Sequence, residues 1–176
     1  SLSRLEVMKL DNNQLNGTLP SSLRNCFMLS HLYLQENHFS GTIPSSYGNL
    51  TTLSQLSLGS NYLSQSIPST FSQLLQLTVL DLSKNQFTGT IPSFLVLFTN
   101  LRQISLFGNH LTGTIPSSIS QLSKLEYFII ADNLLSGTIP SSYGMLTSLQ
   151  CFSIRVNQFS GSLPSSLRNL TSLIQF

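Results

Sequence analysis

Apolar residues recur along this chain in short alternating stretches, such as Leu29-x-x-Leu32-x-Leu34 and Leu53-x-x-Leu56-x-Leu58, separated by polar loops. Each stretch predicts a short β-strand whose leucines turn inward while the residue between them, such as Tyr33, turns outward. An asparagine follows every stretch at one fixed distance. Asn13, Asn37, Asn61, Asn85, Asn109, Asn133 and Asn157 stand 24 residues apart without an insertion or deletion. All seven prolines keep the same period, at Pro20, Pro44, Pro68, Pro92, Pro116, Pro140 and Pro164, each preceded by Ile or Leu. Six of the ten glycines are also in register (Gly17, Gly41, Gly89, Gly113, Gly137 and Gly161), with Gln65 in the seventh place. The unit reads L-x-x-L-x-L-x-x-N-x-L-S/T-G-T/S-I-P-S-S-x-x-x-L. Its apolar columns, among them Leu15, Phe39, Leu63, Phe87, Leu111, Leu135 and Phe159, contain no charge.

One such unit cannot bury its own apolar face, whereas a stack of them can, and a period of this kind built on L-x-x-L-x-L-x-x-N marks a leucine-rich-repeat solenoid. The expected fold is therefore an α/β-class repeat that is mostly β, with a parallel concave sheet and short 3-10 or irregular convex segments. At about 4.8 Å between neighbours, its strands would span roughly 30 Å. Residues 1–176 read as one solenoid segment of seven in-register repeats plus a truncated eighth, without capping domains. The asparagines are expected to turn inward and satisfy backbone groups of the loop that closes each coil.

The motif N-x-L-S/T-G-x-I-P resembles the plant-specific class of leucine-rich repeats found in the ectodomains of receptor-like kinases and receptor-like proteins. It stands here as Asn37-His38-Phe39-Ser40-Gly41-Thr42-Ile43-Pro44 and as Asn109-His110-Leu111-Thr112-Gly113-Thr114-Ile115-Pro116. The resemblance spans the whole chain. It implies an extracellular module, at the cell surface or in the cell wall, that binds a peptide or protein ligand and brings a co-receptor ectodomain to it, without a cofactor. Similar repeats occur in secreted polygalacturonase inhibitors and in some plant antifreeze proteins. Family ectodomains usually carry cysteine-paired caps, whereas this chain starts within a repeat at Ser1 and stops at Phe176 partway through an eighth strand. It is accordingly expected to be an excerpt of a longer solenoid, with any membrane span and kinase outside it.

Composition agrees with the repeat. Only 8% of residues are charged, eight Lys or Arg and six Asp or Glu, against about a quarter in a typical soluble domain. The apolar, Asn, Gly, Pro and hydroxylic columns leave few places for charge. Glu6, Lys9, Asp11, Glu36, Asp81, Lys84, Arg102, Glu126, Asp132 and Arg155 align on or beside the concave strands, and Arg4, Arg24, Lys124 and Arg168 on the convex side. With six acids against four bases, the concave face argues against a nucleic-acid partner. It also lacks the strong charge expected of a polygalacturonase inhibitor. The longest apolar run, Phe94 to Phe98, is far too short to span a membrane, and no basic start precedes an apolar leader segment.

The exposed concave positions are mainly polar in the first four repeats. In the last three, Phe107, Tyr127, Ile129, Ala131, Cys151 and Val156 are expected to form an apolar patch bordered by Arg102, Glu126, Asp132 and Arg155. Such patches mark interaction sites, with aromatic and Arg side chains as anchors. The expected ligand-binding set is Phe107, Tyr127, Ile129, Arg102, Glu126 and Arg155, in which Arg102 and Glu126, one strand apart in one column, are placed to pair. Some peptide-binding members of the family hold a terminal carboxylate with two nearby arginines on one strand. Here Arg155 is followed by Val156 and Asn157, so that pair is missing.

Cys26 falls in an inward column and is expected to be a buried thiol, Cys151 in an outward column and exposed. Five coils apart, roughly 24 Å at strand spacing, they are too distant for a disulfide. Three N-x-S/T sequons begin at Asn16, Asn49 and Asn169, none on a concave strand, and are expected glycosylation sites. No nucleophile–base pair, phosphate-binding loop or metal-ligand spacing appears, His31, His38 and His110 included, so an enzyme is not expected. Two hydroxylic columns flank the glycines: Asn16, Ser40, Ser64, Thr88, Thr112, Ser136 and Ser160, and Thr18, Thr42, Ser66, Thr90, Thr114, Thr138 and Ser162. Their regular spacing also suits an ordered lattice such as ice.

Overall fold

A computed structural model describes residues 2–176; Ser1 lies outside them. Seven coils stack in register, each named here by the order of its asparagine. The concave strands, Val7–Lys9, His31–Tyr33, Gln55–Ser57, Val79–Asp81, Gln103–Ser105, Tyr127–Ile129 and Cys151–Ser153, form one parallel sheet in chain order. Each pairs with the strand 24 residues on, as Val7 with His31 and Tyr127 with Cys151. No strand slips, because the central residues Leu32, Leu56, Leu80, Ile104, Phe128 and Phe152 are all fully buried, and a one-residue shift would turn every one of them outward.

After each asparagine the chain crosses to a lateral face that the sequence pattern did not predict as strand. There Asn16–Thr18, His38–Gly41, Tyr62–Gln65 and Gln86–Phe87 make one parallel sheet, and Thr112–Gly113, Leu134–Gly137 and Gln158–Phe159 another. A single bridge, Thr90 to Thr112, joins the two. Glycine is favoured at this turn because φ is positive, +83° at Gly17 and +78° at Gly41. Gln65 adopts the same left-handed conformation at +69°, accepting a cost of about 1–2 kcal/mol to keep the register.

Proline then sets the corner into the convex side, where a five-residue 3-10 segment follows, as Ser45–Asn49 after Pro44 at φ −59°. Short hydrogen bonds close it, Tyr47 N–H to Pro44 O at 3.0 Å and Leu50 N–H to Tyr47 O at 3.0 Å, in the i to i+3 pattern of this helix. Two of these segments carry glycine against the next coil. A Cβ on Gly48 would lie 2.4 Å from Thr70 O, and one on Gly144 2.4 Å from Ser166 O.

The core is the stack of inward columns, richest in aromatics toward the C-terminal end, where Phe128 and Phe152 stack at 5.7 Å beside Tyr143. The asparagines do turn inward. Asn109 Nδ2 donates to Leu106 O (3.0 Å) and Phe107 O (3.4 Å) of its own loop and to Leu82 O (3.0 Å) of the preceding coil. Its Oδ1 accepts the Phe87 N–H at 3.0 Å, so one side chain closes a loop and joins two coils. Cys26 is buried as expected.

Candidate ligand-binding surface

The concave sheet presents three main outward columns, led by Val7, Lys9 and Asp11, and beside them the left-handed column before each asparagine. In coils five and six these three columns place Phe107, Tyr127 and Ile129 on neighbouring strands. Tyr127 is exposed, and its hydroxyl donates to Gln150 Oε1 at 3.0 Å. Ile129 stands half-buried between Ser105 and Ser153 on the flanking strands. Phe107 is also half-buried, with the Lys84 ammonium 5.8 Å from its ring centroid, a cation–π distance.

Two ion pairs frame these residues at opposite ends of the strands. Arg102 pairs with Glu126 just before the strands begin, and Arg155 Nη2 with Asp132 Oδ2 at 3.2 Å past their ends. Both arginines are more than half exposed, so each pair contributes little stability, about 0–1 kcal/mol. Its consequence is electrostatic, because the rim of the apolar surface is self-neutralised.

Two residues expected in the patch are not on its surface. Ala131 is 2% exposed and Cys151 8% exposed. Ala131 is too short to rise between Phe107 and Arg155, its neighbours in the column. Cys151 lies between Tyr127 and Gln175, to whose Oε1 its Sγ donates at 3.7 Å. Burial also pushes its thiol pKa up, away from thiolate reactivity. Val156 is 65% exposed but has φ +50°, a left-handed conformation unusual for a β-branched residue.

Coils three to five hold a feature the sequence reading passed over. Ser57, Asp81 and Ser105 follow one another along one column, and Gly59 and Ser83 along the next, so the sheet sinks into a trough between the taller Tyr33 and Ile129. Asp81 stands within it, more exposed than Ser57, Gly59 and Ser105 around it. The carboxylate Oδ1 accepts the Ser83 N–H (3.0 Å) and hydroxyl (2.6 Å), and Oδ2 accepts the Ser57 hydroxyl at 3.3 Å. The run of Ser and Gly in outward columns was the available signal.

The lateral face is different in kind. Thr18, Thr42, Ser66, Thr90, Thr114, Thr138 and Ser162 are all exposed. Methyls of this column pack over the glycine one coil on, Thr90 Cγ2 lying 3.0 Å and Thr114 Cγ2 2.8 Å from where a Cβ of Gly113 or Gly137 would stand. In the neighbouring column hydroxyls donate to carbonyls one coil back, as Thr112 to Gly89 O at 3.2 Å and Ser64 to Gly41 O at 3.3 Å. Asn16 heads that neighbouring column, while Asn49 and Asn169 end 3-10 segments; all three sequon asparagines are exposed and away from the concave sheet. Among the described residues no group of His, Cys, Asp and Glu is arranged to hold a metal ion, and no helix is long and apolar enough to cross a membrane.

Family models described as leucine rich repeat match residues 28–87 and 51–111, and residues 4–26 and 148–170. No curated protein matches the sequence. Among solved structures, the plant peptide hormone receptor RGFR1 in complex with RGF2 superposes at a TM-score of 0.95 with 34% identity, covering 97% of this chain and 27% of that one. The Arabidopsis receptor kinase HAESA, in complex with the peptide hormone IDA and the co-receptor SERK1, superposes at 0.92 with 32% identity, covering 96% and 28%. This chain thus spans little more than a quarter of these receptors. A plant ice-binding protein, at a TM-score of 0.66 and 24% identity over 97% of this chain and 72% of that one, shares the fold.

Proposed function

Because the chain belongs to the leucine-rich repeat family, with plant receptor-kinase ectodomains as its structural neighbours, we propose that it is an extracellular ligand-recognition segment of a plant cell-surface receptor. The ligand is an extended peptide or a protein segment lying on the concave sheet, and a co-receptor ectodomain joins the loaded solenoid from the side. The role is recognition: a rigid stack displays side chains to a partner. One observation carries this reading. Phe107, Tyr127 and Ile129 form an apolar stretch of the sheet flanked by two ion pairs, with Lys84 over Phe107 as the one unpaired charge beside it among the described residues, so a partner gains apolar burial there at little cost in stranded charge. Glycans on Asn16, Asn49 and Asn169 leave that sheet open. A secreted polygalacturonase inhibitor is the weaker alternative, since the neutralised rim offers no strong field to an enzyme surface.

Selection of a displayed random peptide library on the folded chain tests the reading. Selected peptides are expected to bind at least tenfold more weakly to the Phe107→Asp, Ile129→Asp double variant, which still unfolds in one cooperative thermal transition. Affinity that survives both substitutions removes the patch as the site.

The lateral hydroxyl column supports a second reading, binding of an ice surface, because its threonine rotamers are held by the glycines of the next coil and its hydroxyls face solvent. Inhibition of ice recrystallisation that is lost in Thr90→Lys, Thr114→Lys is the expected result. Absence of both recrystallisation inhibition and thermal hysteresis in the unsubstituted chain would dismiss it.

A further inference from the structure

The two halves of the concave face are not balanced in charge. Both acids of coil six are consumed by ion pairs with its neighbours, Glu126 with Arg102 and Asp132 with Arg155. In coils one to four neither lysine meets an acid, since the Lys9 ammonium lies 5.7 Å from the ring centroid of Tyr33 and that of Lys84 lies over Phe107. Asp81 therefore has no cationic partner among the described residues, although it stands in the trough in the middle of the sheet. Its geometry is nonetheless set. Three hydrogen bonds from Ser57 and Ser83 hold the carboxylate, and they fill most of its roughly four acceptor directions.

We infer that Asp81 forms a subsite for an ammonium group carried by the extended peptide whose apolar residue rests on Phe107 and Ile129. This deepens the reading above and rests on it. Ser57, Gly59, Ser83 and Ser105 are short enough for a long side chain to reach the carboxylate, which is partly exposed on the concave face. With one acceptor direction left on Oδ2, a single ammonium N–H is met, whereas the two parallel donors of a guanidinium find no matching pair. Asp81 and Ile129 share a column two coils apart, roughly 10 Å at strand spacing. An extended peptide advances about 3.3 Å per residue and repeats its faces every two residues. Lysine is thus expected two or four positions from the apolar anchor, on the same face.

Peptides selected from the displayed library are expected to be enriched in lysine over arginine at that spacing. A synthetic copy of the best binder is then compared with its Lys→norleucine analogue, which keeps the length and removes the charge, in free and N-acetylated forms. Loss of the charge is expected to weaken binding about fivefold or more at low salt, and by far less against Asp81→Asn, so that the two changes are not additive. Sensitivity to N-acetylation in place of norleucine assigns the same subsite to the peptide's terminal amine. Ser105→Lys, which puts an ammonium into the trough from the next strand, is expected to weaken binding without lowering the melting temperature. Peptides that need Phe107 and Ile129 yet show no amine preference, or one indifferent to Asp81→Asn, overturn this inference alone. Failure to select any peptide overturns it together with the reading beneath it.

Discussion

The asparagine ladder and the concave strand columns belong to the same seven coils, only a few residues apart, and they vary in opposite ways. Every coil has asparagine at the loop, while the adjoining strand column runs Lys9, Tyr33, Ser57, Asp81, Ser105, Ile129 and Ser153. The difference follows from what each position must satisfy. The ladder serves backbone groups, and these are identical from coil to coil: Asn61, Asn85 and Asn133 repeat the bonds of Asn109 with the same kinds of partner. Aspartate would lack the donors, serine the reach, and glutamine the geometry. An outward strand residue faces no such demand, because its own N–H and C=O are already committed to the sheet. In a solenoid, therefore, a uniform column reports how coils are held together and a variable one reports what the surface meets.

The widest gap between the two kinds of position is expected for a pair only two residues apart. Asn109→Ala removes an acceptor from the buried Phe87 N–H and donors from Leu82 O, Leu106 O and Phe107 O, and an unsatisfied buried group costs about 1–3 kcal/mol. A loss on the order of 3 kcal/mol is expected in urea unfolding. Phe107→Asp, on the ligand face, gives up a half-buried ring and its Lys84 contact and is expected to cost less, about 1 kcal/mol. Similar losses from both would erase the distinction between ladder and face.

A smaller effect comes from the convex column Leu23, Tyr47, Phe71, Leu95, Ile119, Tyr143 and Leu167, which is uniform in being apolar but not in its hydroxyls. The phenols of Tyr47 and Tyr143 reach Pro20 O at 3.5 Å and Pro116 O at 3.0 Å from otherwise buried rings. Desolvation raises both pKa values well above the ordinary 10.0, with a lesser electrostatic contribution from the neighbouring Cys26 at Tyr47. The folded chain keeps these protons while the unfolded chain loses them above that value, so stability is full below pH 10 and falls as pH rises. The slope is about 1.4 kcal/mol per pH unit for each tyrosine. Unfolding measured between pH 9 and 11 is expected to flatten by that amount in Tyr143→Phe and again in Tyr47→Phe. An unchanged slope would mean that neither phenol is desolvated.

Most of the fold was legible because the period exposes it. The strand register, the inward asparagines, the buried Cys26 and the 3-10 convex segments all follow from columns that repeat. The lateral strands were not legible, since they carry glycine and hydroxyls in place of alternating apolar residues. At the site, the Arg102–Glu126 pair could be read from column position. The depth of Ala131 and Cys151 could not, because burial on a concave sheet depends on how tall the neighbouring side chains stand. The Asp81 trough was missed for the same reason: its floor is defined by what Ser57, Gly59, Ser83 and Ser105 lack.

Val156 sharpens the distinction between uniform and variable columns at the scale of one backbone angle. The position before each asparagine is left-handed in all seven coils, with φ between +49° and +67°, and is held by Asn12, Glu36, Ser60, Lys84, Gly108, Asp132 and Val156. Here the conformation is uniform and the residue is not. Asn, Asp and Gly enter this region readily, whereas a β-branched side chain crowds its own backbone. Val156 also leaves its apolar side chain 65% exposed, so burial returns nothing for the strain. Val156→Asn is accordingly expected to stabilise the chain, by about 0.5–1 kcal/mol, as a rise in urea midpoint at unchanged slope. If the same variant weakens the selected peptides, the valine is kept for contact with ligand, and the patch extends from Phe107 and Ile129 to the far rim of coil seven. Unchanged peptide affinity confines the site to the strands, and a variant less stable than the parent means that contacts of the valine outweigh its backbone strain.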